Sequence, residues 1–354
     1  MKLAFLWHLP RYTVELAKRL AKQIDVHVYS NEKLAIDRTP VHNMRKLLWL
    51  GGFLEHFIRL FDLYHLNSVH QALKISKFAR IIRVPYVFVS HTFPLPKFEI
   101  QPDMRQWYEE EDRNFEEIAS NAAHVISVSR YVQKNIAKRY NVKSTVIYHG
   151  VDWKYFNPNV PRNIIRKKYS IKGPLILTVT RLHPLKDPLT LIHSIPLVVK
   201  VQPDAKFMMV GSGPLKSSII AEARHLDVMR HLLLVDRITP YSCVDLNYYY
   251  SAADLFVSTS IHEGFGLVAL EAIASGKPTI VSDIPPFKEI FSDCCLFFKK
   301  SDAKDFADKI LRLLLDREFA HKVSMKGLSN ARNSFSWDVT ARKYLDVYGQ
   351  VAKM

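Results

Sequence analysis

Short apolar segments alternate with longer segments of helical periodicity through the first 150 residues. The apolar segments are KLAFLW, DVHVYS, FDLYHLNS, YVFVSHT and KSTVIYHG, and VELAKRLAKQI and VHQALKISKFARIIRVP are among the segments with helical spacing. Strands that alternate with helices of this length are typical of a parallel sheet covered by helices on both faces. The pattern therefore predicts an α/β domain for the first part of the chain.

The pattern is interrupted at NPNVPRNIIRKKYSIKGP (157–174), which carries three prolines and a cluster of basic residues, and then resumes. We interpret this segment as a connection between domains. Further strands are predicted at LILTVTR, AKFMMVGSG, HLLLVD, DLFVSTS, KPTIVSD and CLFFKK, and helices at LTLIHSIPLVVKV, DAKDFADKILRLLLD and WDVTARKYLDVYGQVAK. The prediction is two doubly wound, Rossmann-like α/β domains, at 1–160 and 161–336, which face each other across a ligand cleft.

Composition and charge narrow the classes of partner. The net charge is +16, and residues 1–170 hold 27 Lys and Arg against 15 Asp and Glu, which predicts an anionic partner for the first domain. The three cysteines fit neither a disulfide framework nor zinc spacing, and no apolar run has the ~18 residues of a membrane helix. We expect a cytoplasmic protein whose first apolar run is a strand rather than a signal peptide.

The segment IHEGFGLVALEAIASGKPTIVSD (261–283) follows a predicted strand and places two carboxylates eight positions apart. Gly264 and Gly266 allow close approach to the backbone, and the helix that follows presents N–H groups that favour an anion. Glu271 lies on a partly apolar helical face, where a carboxylate needs hydrogen-bond donors such as a ribose diol. Glu263, in the loop, would reach a sugar. The alternative is that neither carboxylate binds a ligand: Glu263 then complements the helix dipole, and Glu271 is an exposed residue of the helix.

Two further strand ends carry candidate residues. In TVTRLHPLKDP, Arg181 and Lys186 follow a strand, where two cations can hold a diphosphate or be simply solvated. In MMVGSGPLK (208–216), Gly211 and Gly213 permit close backbone approach by a ligand or a neighbouring strand, or simply make a tight turn.

Together these three motifs, in this order and spacing, resemble glycosyltransferase family 4, retaining enzymes of the GT-B fold. The resemblance extends to VISVSRYVQKNIAKRYNVKSTVIYHGVDWKYFNP, which looks like the family's link between domains, and to SWDVTARKYLDVY, which looks like its closing helix. It implies that residues 337–354 cross back to the first domain. The N-terminal match is the weaker part.

Roles follow from the resemblance at the positions that match. It implies that Arg181 and Lys186 hold the donor's diphosphate, that Glu271 binds the nucleotide ribose, and that Glu263 contacts the transferred sugar. His91, in VSHTFP, matches a histidine near the donor sugar, although a lone histidine is often structural. The remaining implied nucleotide-sugar contacts are Gly264, Phe265, Gly266, Leu267, Gly211 and Gly213, with Gly213 and Pro214 shaping the cleft.

The implied reaction is hexosyl transfer from a UDP- or GDP-linked sugar to a glycan, lipid-linked or other anionic acceptor. In this family the acceptor attacks the sugar on the face from which the phosphate departs, and cationic side chains stabilise the diphosphate in place of a metal ion. This sequence contains no Asp-x-Asp, so we expect no metal or cofactor. One departure is the first loop, WHLPRYTVELA, which lacks the family's glycines. The missing glycines concern the predicted acceptor contacts more than the donor contacts. Either His8 or Arg11 takes the place of the glycine-rich loop, or the loop is shortened.

The basic first half leaves a second kind of partner open. RKLLWLGGFLEHFIRLFDLY (45–64) is apolar with basic residues at intervals, so it is either an amphipathic segment on the inner face of an anionic membrane or, as we favour, a core-facing helix. Two other functions remain as alternatives: another GT-B enzyme, such as a nucleotide-sugar epimerase or a phosphorylase, and a non-enzymatic basic membrane-binding module. No nucleic-acid-binding signature is present.

Overall fold

The computed structural model describes residues 1–6, 10–30, 36, 39–43, 61–67, 69–236 and 243–353. The chain divides into two compact units, Met1–Gly150 with Phe335–Met354, and Val151–Ser334. The predicted first domain ended at residue 160, whereas the first unit ends at Gly150. The segment after Gly150 packs on the second unit: the Tyr155 hydroxyl accepts from the backbone N–H of Asn247, and Ser251 donates to the carbonyl of Val160.

The first unit contains a parallel sheet that has seven strands among the described residues, in the order β3-β2-β1-β4-β5-β6-β7. Its strands are β1 (Lys2–Leu6), β2 (Asp25–Ser30), β3 (Val41–Asn43), β4 (Leu63–Leu66), β5 (Tyr86–Ser90), β6 (His124–Ser127) and β7 (Thr145–Val146). Its helices are α1 (Pro10–Leu20), α2 (Val69–Ile81), α3 (Pro102–Ser120) and α4 (Arg130–Tyr140), together with α13 (Trp337–Val351) from the end of the chain.

The second unit contains a parallel sheet with six strands among the described residues, in the order β10-β9-β8-β11-β12-β13. Its strands are β8 (Leu175–Val179), β9 (Lys206–Val210), β10 (Leu232–Val235), β11 (Leu255–Ser258), β12 (Thr279–Ser282) and β13 (Leu296–Phe298). Its helices are α5 (Asn163–Lys168), α6 (Pro188–Val199), α7 (Lys216–His225), α8 (Cys243–Ala252), α9 (Leu267–Ala274), α10 (Pro285–Phe291), α11 (Ala303–Leu315) and α12 (Arg317–Ser334).

Both sheets are doubly wound, so the predicted α/β class is confirmed. In each, the chain first adds strands on one side and then returns to the middle, which places a topological switch point between β1 and β4 and another between β8 and β11. Ligands of such sheets bind outside the carboxyl ends of the strands at the switch point. The central strands are apolar because both faces are covered; Leu175, Ile176 and Leu177 of β8 have no exposed surface.

Helix α12 was not predicted from the sequence. Its buried residues are Ser324, Gly327 and Ala331, a face of small residues rather than the large apolar stripe that signals a helix. A Cβ on Gly327 would lie 2.4 Å from the carbonyl oxygen of Cys294, so this small face is required for close packing. Over the described ranges, no helix is both long enough and apolar enough to cross a membrane.

Candidate active site

The loops that follow β8 and β11 are joined by hydrogen bonds at the switch point of the second sheet. The two strands pair in parallel, with Phe256 opposite Leu177. Beyond them, the backbone N–H of Ile261 donates to the carbonyl of Leu185 at 2.9 Å, and the Thr259 hydroxyl donates to the carbonyl of Lys186 at 2.8 Å. Residues that are far apart in sequence are therefore held together at the edge where a ligand binds.

Lys186 and Glu263 form an ion pair across these two loops. Lys186 Nζ lies 2.5 Å from Glu263 Oε1, and the side chains are 23% and 13% exposed. The Ser260 hydroxyl donates to the same carboxylate oxygen at 2.8 Å. Because Glu263 lies four residues before the start of α9 at Leu267, the ion pair holds the Lys186 ammonium against the loop that leads into that helix.

Arg181 is the second residue after β8, and its side chain is exposed. The backbone around it is fixed by the neighbouring strand, because Thr180 N–H donates to the carbonyl of Val210 and Leu182 N–H to that of Ser212. An exposed guanidinium on a fixed backbone at the carboxyl end of a central strand is available to an anionic ligand.

The glycines after β9 are explained by contacts within the protein. Gly211 has φ +149°, and a Cβ there would lie 1.8 Å from the carbonyl oxygen of Thr180. A Cβ on Gly213 would lie 2.4 Å from the carbonyl oxygen of Leu182. Of the alternatives that the sequence left open, close approach to the neighbouring chain segment is the one that the structure describes, and ligand contacts of these glycines stay a prediction.

Gly266 provides the turn into α9. Its φ is +100°, and a Cβ would lie 2.5 Å from a ring carbon of Phe287. A residue with a side chain would therefore be strained and would clash. Gly264 and Phe265, just before it, are buried, whereas Leu267 at the first helical position is half-buried. The loop delivers the first N–H groups of α9 to the switch point.

Glu271 is buried on α9, with 3% of its surface exposed among apolar neighbours. The Tyr250 hydroxyl of α8 donates to Glu271 Oε2 at 2.8 Å. The sequence indicated that this carboxylate needs a donor, and the exposed alternative is wrong. The Tyr250 hydroxyl is such a donor within the protein, on a separate helix that sequence spacing did not reveal.

His262 adjoins the ion pair. The pKa of this imidazole is lowered to about 4, chiefly by burial; the Glu263 carboxylate opposes the shift and the Lys186 ammonium adds to it. The ring is therefore neutral near pH 7 and adds no charge beside Lys186. Sequence reasoning did not select His262, although its position next to Glu263 was visible.

His91 lies in the first unit, directly after β5, and is half-buried. Its Nδ1 is 3.3 Å from Nε2 of His149, and the Tyr12 ring contacts it edge-on with centroids 4.6 Å apart. The sequence indicated His91 but neither of these neighbours. The one signal for His149 was its place in KSTVIYHG, at the end of the last predicted strand of the first domain.

A buried chain of hydrogen bonds fixes Tyr12. Its hydroxyl donates to the Tyr344 hydroxyl at 2.9 Å and lies 3.1 Å from His65 Nε2, while His65 Nδ1 lies 2.5 Å from the Tyr348 hydroxyl. Burial lowers the pKa of His65 to about 3, so the ring is neutral. Helix α13 thus holds α1 and β4 through polar contacts inside the first unit.

Part of the predicted acceptor region falls outside the described residues. This applies to His8 and to residues 45–60 of the basic apolar segment. Arg11 is described as helical backbone of α1. At the end of that segment, Leu63 and Tyr64 are buried in strand β4.

Two family profiles together match most of the chain. The profile described as Glycosyl transferases group 1 matches residues 161–329. The profile described as Glycosyltransferase Family 4 matches residues 9–154. The first match contains the switch point of the second sheet with Arg181, Lys186 and Glu263.

Similar proteins fall in the same group. D-inositol 3-phosphate glycosyltransferase of Corynebacterium efficiens is 27% identical over 284 residues, which cover 76% of this chain and 66% of that protein. O-antigen chain mannosyltransferase RfbU of Salmonella typhimurium is 34% identical over 193 residues, covering 53% of this chain and 50% of that protein. The chain therefore spans about two thirds of the first relative's length and half of the second's.

Solved structures share the fold over the whole chain. HepE of Anabaena, solved in complex with UDP and glucose, superposes with a TM-score of 0.82 at 17% identity and covers 99% of this chain and 100% of that one. The predicted GT-B fold is confirmed by this likeness.

Proposed function

Since the chain belongs to glycosyltransferase family 4, we propose that it transfers a hexosyl group from a nucleoside-diphosphate sugar to an acceptor with retention of configuration. The UDP- and UDP-glucose-bound structures of Anabaena HepE support a nucleotide-sugar donor. A GDP-linked donor remains the alternative, in keeping with the mannosyltransferase among the relatives.

The observation that carries the proposal is the Lys186–Glu263 pair beside the N-terminus of α9. Departure of a nucleoside diphosphate concentrates negative charge on the leaving phosphate. The Lys186 ammonium is held 2.5 Å from Glu263 Oε1, on the loop that leads into the first N–H groups of α9 at Leu267. A fixed cation and a helix N-terminus together stabilise such an anion without reorganisation at the moment of reaction.

The other residues take the remaining parts of the donor. In the proposal, the exposed Arg181 joins Lys186 on the diphosphate, the Glu271 carboxylate accepts from the ribose hydroxyls, and Glu263 faces the transferred sugar. His91 contacts the donor sugar in the proposal, as the family resemblance implies. The leaving phosphate takes the acceptor's proton on the same face, so no protein nucleophile and no metal ion are part of the proposed step; full activity in EDTA is the expected result.

The first experiment is thermal unfolding of the protein with UDP, GDP, ADP or CMP. A ligand that binds only the folded state at a hundred times its Kd adds about 2.7 kcal/mol to the free energy of unfolding. We expect selective stabilisation by UDP or by GDP, which also names the base of the donor. If none of the four raises the melting temperature at millimolar concentration, the donor site assigned here is wrong.

We further propose an anionic or lipid-linked acceptor. The net charge of +12 over residues 1–170 supports this, as does the inositol phosphate in the name of the Corynebacterium efficiens relative. Co-sedimentation with vesicles of anionic lipid at low salt is expected, and neutral vesicles are the control. Because exposed charges are screened by salt, binding should weaken between 50 mM and 500 mM NaCl. Equal pelleting with and without anionic vesicles would remove the lipid surface from the proposal.

A further inference from the structure

His91 and His149 face each other through one nitrogen each. Nδ1 of His91 is 3.3 Å from Nε2 of His149, the ring planes are within 20° of parallel, and the ring centroids are 5.3 Å apart. Two imidazole nitrogens at this separation form a hydrogen bond only when one carries a proton and the other presents its lone pair. The contact therefore admits one proton between the two rings.

His149 stays neutral in this contact. It is 2% exposed, and burial lowers its pKa to about 3. A neutral imidazole has one N–H and one acceptor nitrogen. When His149 carries its proton on Nε2, His91 accepts at Nδ1 and a neutral His91 holds its own proton on Nε2. When His149 carries it on Nδ1, His91 donates from Nδ1 and its Nε2 is the acceptor.

The surrounding side chains hold both rings in place. Tyr12 packs edge-on against His91 and against His149, with centroid distances of 4.6 and 5.0 Å. The Tyr12 hydroxyl is itself hydrogen-bonded to His65 and Tyr344. On the backbone side, a Cβ on Gly150 would lie 2.2 Å from the backbone nitrogen of Trp337, so the chain next to His149 packs directly against the start of α13.

We propose that His149 is a positioning residue that couples the tautomer of His91 to its own through the proton between Nε2 and Nδ1. The inference depends on the proposed function in one respect only: the nitrogen that His91 presents to a bound sugar is then a donor or an acceptor according to the state of His149. No proton leaves the pair. A donor at His91 Nε2 recognises a sugar oxygen acceptor, and an acceptor at Nε2 recognises a sugar hydroxyl.

Imidazole ¹⁵N chemical shifts of histidine-labelled protein at pH 8 test the proposal. The His91 and His149 signals are assigned by their absence from the spectra of His91→Gln and His149→Phe. In the wild type we expect the fraction of His91 that is protonated on Nε2 to equal the fraction of His149 that is protonated on Nε2, because one proton serves the contact. In His149→Phe, which keeps a ring but no nitrogen, the ratio of the two His91 tautomers should change.

His149→Gln is the conservative variant, since its amide both donates and accepts, and it should bring the His91 tautomer ratio back toward that of the wild type. Unequal Nε2-protonated fractions at the two histidines would overturn the proposal, and so would an unchanged His91 ratio in His149→Phe. If His149→Phe does not fold, His149→Asn breaks the same contact with a shorter polar side chain and is read in the same way.

Nucleotide binding to the same variants separates this inference from the proposed function. His149→Phe should keep the thermal stabilisation by UDP or GDP that the wild type shows. Tautomer control without any nucleotide binding would refute the donor site and leave the histidine pair standing. Nucleotide binding together with a His91 tautomer that does not depend on His149 would refute the inference about the histidine pair and leave the donor site standing.

Discussion

Replacing Lys186 by Met is expected to lower kcat by a factor of about 10²–10³, the usual cost of removing one preorganised group that stabilises charge in a transition state. The charge on the leaving diphosphate is greatest at the transition state, so the loss should appear in kcat more than in KM for the donor. Steady-state rates of donor consumption over a range of donor concentrations separate the two constants.

The same substitution also affects stability, which a double variant resolves. Lys186→Met leaves the Glu263 carboxylate, 13% exposed, without its cation, at a cost of about 1–3 kcal/mol. Adding Glu263→Gln removes the unpaired charge and should restore most of the free energy of unfolding in urea, whereas activity should remain low. Recovery of activity in the double variant would mean that Lys186 has only a structural role.

Lys309→Met is the matched control for these variants. Lys309 lies 3.2 Å from Asp305 one turn earlier on α11, and both side chains are 32% exposed. An exposed pair of this kind contributes about 0.3–0.5 kcal/mol, so the control should change neither kcat nor the unfolding curve by much. A loss of activity in the control comparable to that of Lys186→Met would contradict the assignment.

Glu271→Gln is expected to weaken nucleotide binding about 10- to 100-fold, the effect of losing charge-assisted hydrogen bonds of about 1.5–3 kcal/mol. The side chain keeps its shape, and its amide oxygen still accepts from the Tyr250 hydroxyl, which lies 2.8 Å from Glu271 Oε2. The folded structure should therefore survive while the ribose contact is lost. Titration calorimetry with the nucleotide identified in the thermal screen measures the change.

Tyr250→Phe tests the structural alternative for Glu271. It removes the internal donor but keeps the ring, which packs against Phe156 with centroids 5.6 Å apart. We expect a loss of about 1–3 kcal/mol in unfolding free energy and a smaller change in nucleotide affinity than in Glu271→Gln. If Glu271→Gln binds nucleotide as tightly as the wild type, the carboxylate serves the fold and not the ligand.

The periodic parts of the chain were predictable because the spacing of apolar residues in each strand and helix reflects which of its faces are buried. LILTVTR and DLFVSTS predicted β8 and β11, and the family resemblance implied that Arg181, Lys186 and Glu263 serve one donor. Helix α12 escaped prediction because its contact face consists of small residues, and small residues carry little hydrophobic signal.

The partners of the site residues were beyond reach of the sequence. Neither the Lys186–Glu263 pair, 77 positions apart, nor the Tyr250–Glu271 pair, 21 positions apart, follows from spacing within one element. His149 lies 58 positions from His91 and follows β7, whereas His91 follows β5, two strands away in the same sheet. Such contacts arise from the topology of the sheet, which periodicity does not specify.

The first unit is assembled from two stretches of chain that are separated by the whole of the second, and this has a consequence for the order of folding during synthesis. The Tyr12–Tyr344 hydrogen bond joins residues 332 positions apart, and Tyr348 and His65 are 283 apart. A ribosome that adds 5–20 residues per second needs roughly ten seconds or more to make the intervening unit. Throughout that time the polar interior around Tyr12 and His65 has no partner helix, and the second unit is complete in sequence before that helix is made. The later-made unit is thus free to fold first, and the nascent N-terminal sheet depends on a helix made after it, which makes that interval the period of greatest exposure to chaperones and proteases.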